Sequence, residues 1–60
     1  MFRVIDTNET PNLIVSENAR KDRAVAEAVY KYRNTSGVKL TVQKRNSVGK
    51  FQTVETFRTK

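Results

Sequence analysis

The side chains that most often do acid–base or covalent chemistry are missing from this chain or scattered along it. The sequence contains no histidine and no cysteine, which removes the commonest general base, the thiol nucleophile and the usual zinc ligands. Its six acidic residues are spread over predicted turns, a helix and a strand. We therefore expect a protein that is not an enzyme and that uses neither a metal ion nor another cofactor.

One stretch imitates a calcium-binding loop. The pattern Asp6–x–Asn8–x–Thr10 has the alternating oxygen ligands of such a loop, and Glu17 stands at its twelfth position. Pro11 occupies the sixth position, however, where these loops need a glycine for a sharp turn. The stretch is better interpreted as a solvated turn.

Positive charge is concentrated in the C-terminal part of the chain. The sequence has 12 Lys and Arg residues against 6 Asp and Glu, a formal net charge of +6. Residues 1–18 hold one basic and three acidic side chains, whereas residues 37–60 hold six basic side chains and one acidic side chain. In the predicted helix, Glu27 lies four residues from both Arg23 and Lys31 and partly compensates their charge. The unmatched charge of residues 37–60 favours polyanionic partners.

The sequence predicts a small, basic accessory protein that binds nucleic acid through a C-terminal β-hairpin. Cations there can contact phosphates, and glutamines can lie near bases. The candidate contact residues are Lys39, Gln43, Lys44, Arg45, Lys50, Gln52 and Arg58.

An alternative is a protein-binding module or inhibitor that docks on an acidic surface of a partner protein. Short strands with open edges would also suit a partner's sheet. A homodimer is a further option, because chains this small often need a second subunit to complete a thin core. The longest aliphatic run, Leu13–Val15, is too short for a membrane span, and no secretory signal is visible. We expect a cytoplasmic protein without a membrane partner.

The expected fold class is α+β, with one helix packed on a small, largely antiparallel sheet of three or four strands, in the order ββαββ or βαββ. Residues 1–60 are expected to form a single domain. Runs of β-forming residues predict strands near residues 2–5 and 13–15, joined by a turn. Either Ser16 or Asn18 is expected to cap a helix that follows.

The helix is predicted over residues 18–33, and its end is marked by the turn residues before Gly37. An i, i+3, i+4, i+7 stripe predicts the side that packs on the sheet, formed by Val25, Ala28, Val29 and Tyr32. The next strand, from Val38 to Gln43, alternates strictly between apolar and polar residues. Val38, Leu40 and Val42 should therefore face the core.

The register of the C-terminal hairpin decides which side chains its outer face presents. If residues 46–49 form a four-residue loop, Phe51 and Phe57 face the core and the outer face is polar and basic. If residues 47–49 form a three-residue loop with a glycine bulge, the returning strand slips by one residue and both rings emerge on the outer face. Single-stranded nucleic acid stacks on such aromatic and basic platforms.

Two preferences compete over this register. The spacing of Asn46 and Gly49 favours the glycine bulge. The thin core favours the other register, because burying each phenylalanine contributes roughly 1.5–3 kcal/mol. On this energetic ground we expect Phe51 and Phe57 to point inward. A β-bulge within residues 52–56 would reconcile part of both patterns.

Overall fold

Four strands and one helix follow one another in the order ββαββ. The computed structural model describes all residues, 1–60. The elements are β1 (Phe2–Asp6), β2 (Leu13–Asn18), α1 (Lys21–Lys31), β3 (Lys39–Arg45) and β4 (Phe51–Arg58). All strand pairs are antiparallel, and the sheet order is β2-β1-β3-β4. The predicted α+β class, with one helix on an antiparallel sheet, is confirmed.

The helix is shorter than predicted because β2 extends as far as Asn18, which pairs with Phe2 of β1. Neither expected residue caps the helix. The Ser16 hydroxyl lies in β2 and donates to the carbonyl oxygen of Ala24 at 2.6 Å. The Asn18 side chain accepts a hydrogen bond from the backbone N–H of Arg20, which precedes the helix. Ser16 therefore connects β2 to the first turn of the helix, and Asn18 connects β2 to the residue before the helix.

The helix packs on the sheet through two alanines. Ala24 and Ala28 are completely buried, whereas Val29 is 50% exposed. Val25 and Tyr32 flank them and are half-buried. The buried side of the helix is therefore centred on Ala24 and Ala28, and Val29 lies at its edge and not within it as predicted. The physical reason is that the backbone of α1 lies closer to β2 and β1 than to β3 and β4, although its two alanines share one buried cluster with Leu40 and Val42 of β3.

The core lies between α1 and the middle of the sheet. It is a cluster of six buried residues: Val4, Val15, Ala24, Ala28, Leu40 and Val42. The prediction that Leu40 and Val42 face the core is confirmed, and Val38 is half-buried at its margin. Both edge strands contain an irregularity in their pairing, within β2 opposite Val4 and Ile5 and within β4 opposite Val42 and Gln43. Such bulges discourage further strands from adding to an edge.

The buried carboxylate of Asp6, at the end of β1, is hydrogen-bonded to Tyr32 at the end of the helix. Asp6 is only 4% exposed and accepts a hydrogen bond from the Tyr32 hydroxyl at 2.6 Å. It also accepts bonds from the backbone and side-chain N–H groups of Asn8, each at 2.9 Å. The bond from Tyr32 lowers the pKa of Asp6 against the opposing effect of burial, and the bonds from Asn8 act in the same direction. Burial and Asp6 together raise the pKa of Tyr32 to about 12.

Replacing Tyr32 by phenylalanine should lower the free energy of unfolding at neutral pH by about 1.5–3 kcal/mol, the usual contribution of a hydrogen bond to a charged group. The pKa of Asp6 is lower in the folded state than in the unfolded chain. The stability that its ionised carboxylate contributes is therefore lost as the pH falls from about 3.9, the usual pKa, through the pKa in the folded state. The Tyr32 pKa is higher in the folded state, so its contribution is lost as the pH rises from about 10 toward about 12.

Urea denaturation of both proteins at acidic, neutral and alkaline pH measures this difference. The gap between the unaltered protein and Tyr32→Phe should be largest at neutral pH and shrink at both extremes. A gap that stays constant across the whole range would show that the hydroxyl does not act through the Asp6 carboxylate.

Candidate nucleic-acid interface

A tight turn joins β3 to β4 and fixes their pairing next to it. The backbone N–H of Gly49 donates to the carbonyl of Asn46 at 3.0 Å, and the N–H of Asn46 donates to the carbonyl of Lys50 at 2.8 Å. Gly49 has a left-handed φ of 84°, a conformation that glycine adopts without strain. Arg45 then lies opposite Phe51. At this end of the hairpin the glycine-bulge register is the one that forms.

The register changes again in the middle of β4. Gln43 lies opposite Thr53, but the next residue of β3, Val42, lies opposite Glu55, so Val54 has no partner. Val54 is therefore an inserted residue in a β-bulge. A bulge within residues 52–56, which the sequence left open as a way to reconcile the two registers, is therefore the arrangement that forms.

This bulge sends the two phenylalanines of β4 to opposite faces of the sheet. In a regular strand, residues six apart share a face. Because of the inserted residue, Phe57 pairs with Leu40 on the core side, whereas Phe51 pairs with Arg45 on the other side. The expectation that both rings point inward is right for Phe57 and wrong for Phe51. The turn chemistry decides the position of Phe51, and the demand of the core decides the position of Phe57.

The sheet face opposite the helix, here called the open face, is not covered by any other element. Side chains alternate along strands, and Val4 and Val42 lie opposite each other in the core, which assigns their neighbours to the open face. Its residues are Ile14 and Glu17 of β2, Arg3 and Ile5 of β1, Lys39, Thr41, Gln43 and Arg45 of β3, and Phe51, Thr53, Thr56 and Arg58 of β4. The open face is thus mostly polar and basic, with Phe51, Ile14 and Ile5 as its apolar residues. Ile5 and Thr41 are buried at its centre.

An arginine from β1 stacks on that phenylalanine. The Arg3 guanidinium carbon lies 3.7 Å from the centroid of the Phe51 ring. Its Nε donates to the side-chain oxygen of Gln43 at 2.8 Å, which fixes the plane of the guanidinium. The terminal amino groups of Arg3 make no hydrogen bond within the protein. Arg3, Gln43 and Phe51 therefore form one ordered polar and aromatic cluster from three strands.

Further cations extend from this cluster along β3. The Arg45 guanidinium lies beside Gly49 in the turn, close enough that a side chain at position 49 would contact it. Lys39 lies at the far end of β3, about 20 Å away at the usual rise per residue. Neither side chain makes an ion pair. Glu17, opposite Arg3, is the one acid on the open face.

The structure divides the predicted contact residues between two faces. Gln43, Arg45 and Lys39 lie on the open face, and Lys50 is exposed in the turn. Arg58 lies opposite Lys39, but its guanidinium donates to the carbonyl of Gly37 at 3.2 Å.

Two predicted contacts point away from this group. Lys44 and Gln52 are opposite each other on the helix side of the sheet, and the Lys44 ammonium lies 5.9 Å from the centroid of the Phe2 ring. Because adjacent residues of a strand alternate between faces, Lys44 and Gln52 are not part of the open face, and their contact with nucleic acid stays a prediction.

Arg3 is the residue that the sequence prediction missed. It belongs to the acidic N-terminal part of the chain, and no local pattern connects it to the hairpin. The alternation of Phe2, Arg3 and Val4 indicates that Arg3 points away from the core. Only the pairing of β1 with β3 places it beside Gln43.

The chain matches no protein-family model, and comparisons with curated proteins and with solved structures likewise found no match. No three histidine, cysteine, aspartate or glutamate side chains come together in a group that could hold a metal ion. The helix α1 is neither long enough nor apolar enough to cross a membrane. The geometry of the open face is therefore the main guide to function.

Proposed function

We propose that this protein binds single-stranded nucleic acid on the open face of its sheet and has no catalytic activity of its own. The observation that carries the proposal is the position of Phe51. A core of six residues would gain roughly 1.5–3 kcal/mol from another buried ring, yet Phe51 lies outside it. The turn at Gly49 fixes this position, and the ring stays partly exposed on the open face beneath the Arg3 guanidinium. An aromatic ring and a planar cation on one exposed surface together suit a ligand that stacks.

The arrangement around Phe51 suits an unpaired base. A base can stack on the Arg3 guanidinium, which is itself stacked on the ring, and aromatic and arginine planes both bind bases in this way. Gln43 accepts the bond from Arg3 through its oxygen, which leaves its amino group free to donate to a base edge. Arg45 and Lys39 lie along β3 on either side of Gln43 and can contact phosphates.

A single strand suits the open face better than a duplex. The faces of the bases are hidden inside a duplex, whereas an unpaired base offers its whole face for stacking. The cluster of Arg3, Gln43 and Phe51 is built for stacking on a plane. It lies next to the turn between β3 and β4, but β1 and β2 also reach this end of the sheet, where Phe2 pairs with both Lys44 and Asn18. The surface there is four strands wide, which is broader than a two-stranded ribbon that enters a groove.

The affinity for a labelled single-stranded oligonucleotide should fall steeply with salt, with a slope of about −0.7 per phosphate neutralised. The Arg45→Gln variant should bind more weakly at low salt, and its salt dependence should be less steep by about 0.7, the value for one lost phosphate contact. Fluorescence polarisation titrations of DNA and RNA strands at several salt concentrations measure both quantities.

The Arg23→Gln variant is the matched control. It removes the same charge from an exposed position on the helix, on the other side of the sheet. If Arg23→Gln and Arg45→Gln weaken binding equally, the attraction comes from net charge and the open face is not the site. Undetectable or salt-independent binding to every strand tested would refute the proposal as a whole.

A further inference from the structure

A second surface lies on the helix side of the sheet. Because α1 covers β2 and β1, the space between the helix and β4 is open, and it holds two cavities. One, of about 680 Å³, lies near the start of the helix. The other, of about 580 Å³, lies near its end and is here called the β4 groove. The lining residues of the β4 groove are Val29, Tyr32, Arg33, Phe57, Arg58, Thr59 and Lys60.

The two cavities differ in charge. The cavity near the helix start contains acids that pair with its own cations, Lys21 with Glu55 at 2.9 Å and Arg20 with Asp22 at 3.6 Å.

Three basic side chains and no acidic side chain line the β4 groove. Arg33 stacks on the Tyr30 ring and donates to the Tyr30 carbonyl. Arg58 lies at the end of β4 and donates to the carbonyl of Gly37, and Lys60 is exposed. None of the three makes an ion pair. No acidic side chain lines the β4 groove to neutralise this positive charge, which favours an anionic occupant.

The β4 groove also has an apolar wall. Val29 is 50% exposed, although it lies on the side of the helix that the sequence pattern predicts to be buried. The Phe57 ring is only partly buried against the core. Burying such side chains against an apolar group contributes free energy in proportion to the area removed from water. An occupant with both an apolar side chain and negative charge would match the groove.

We infer that the β4 groove binds a short acidic segment of a partner protein. An apolar side chain of that segment would lie against Val29 and Phe57, and flanking carboxylates would contact Arg33 and Lys60. A second copy of this chain is a poor occupant, because two molecules of charge +6 would bring their cations together. This inference does not rest on the proposed nucleic-acid binding, since the β4 groove and the Arg3–Phe51 stack lie on opposite sides of the sheet.

A fluorescent synthetic peptide of alternating aspartate and leucine residues tests the inference, with a peptide of alternating lysine and leucine as its counterpart. The acidic peptide should bind in a polarisation titration and the basic peptide should not. The Val29→Glu variant should weaken binding of the acidic peptide by about tenfold or more, since like charges across an interface are strongly unfavourable. The variant should fold, because Val29 is half-exposed and glutamate has a higher helix propensity than valine.

The Val48→Glu variant is the matched control, since it adds the same charge in the turn at a residue that is 74% exposed. It should reduce binding of the acidic peptide much less than Val29→Glu does. Equal losses in the two variants, or no binding of the acidic peptide, would overturn the inference.

Two further outcomes would assign the β4 groove to another occupant and overturn the inference as well. The first is a dimer in sedimentation that Val29→Glu dissociates, which would identify a second copy. The second is a loss of oligonucleotide affinity in Val29→Glu that exceeds the loss in Val48→Glu, which would place nucleic acid in the groove. The inference expects neither.

Discussion

Replacing Phe51 by alanine is expected to weaken the binding of a single-stranded oligonucleotide by about 5- to 150-fold, the effect of losing one base-stacking residue. The ring supports Arg3 at 3.7 Å, so its removal takes away both the aromatic plane and the support of the guanidinium above it. Polarisation titrations of the variant and the unaltered protein at low salt measure the change.

Two conservative variants separate stacking from charge. Phe51→Tyr keeps an aromatic ring and should retain most of the affinity. Arg3→Lys keeps the positive charge but replaces a planar, stacked group by a compact ammonium, so it should weaken binding although the net charge is unchanged. If Arg3→Lys and Phe51→Ala both bind as the unaltered protein does, stacking at this cluster does not hold the strand.

A circular dichroism melt of each variant shows whether the fold survives. Phe51 lies outside the buried cluster, so its replacement should leave the unfolding transition cooperative. A loss of binding in a folded Phe51→Ala variant is then a property of the open face and not of stability.

The parts of the fold that depend on local patterns could be predicted from the sequence. The alternation from Val38 to Gln43 places Leu40 and Val42 in the core, as observed, because strand geometry leaves only two faces to choose from. The helix could be located for the same reason, since its apolar residues recur at helical spacing. The side of the helix that faces the sheet could not be predicted in the same way, because it depends on which strands α1 covers.

The orientation of β4 could be predicted only in part. The turn at Gly49 and the burial of Phe57 are both local preferences that the sequence shows. Each of them, applied to the whole strand, gives a different register. One inserted residue, Val54, satisfies both, and its position depends on the three-dimensional fit of β4 against β3 and the core. The core preference taken alone therefore assigns Phe51 to the wrong face, and the turn preference taken alone assigns Phe57 to the wrong face.

The Arg3–Gln43 contact could not be predicted at all. The two residues are 40 positions apart, and they meet only because β3 pairs with β1 and not with β2. Strand order is a non-local property that charge and alternation do not encode. The candidate site thus combines a hairpin that the sequence indicates with an arginine that only the topology supplies.

Replacing Leu40 by alanine is expected to cost about 2–5 kcal/mol of stability, the usual effect of removing a buried leucine side chain. Leu40 is completely buried and is among the largest such side chains in the protein. A 60-residue chain has a total stability of roughly 3–9 kcal/mol at the usual value per residue. The loss is therefore a large fraction of the whole, and the variant should be mostly unfolded at moderate temperature.

Urea denaturation followed by circular dichroism measures this loss, and Leu13→Ala is its matched control. Leu13 is 49% exposed, so the same substitution there should cost about 1 kcal/mol or less. Equal losses in the two variants would mean that Leu40 is no more buried than Leu13. The core would then not lie between α1 and β3, and the open face could not be the side of the sheet that carries Arg3 and Phe51. The two leucine variants therefore test the arrangement on which both binding surfaces depend.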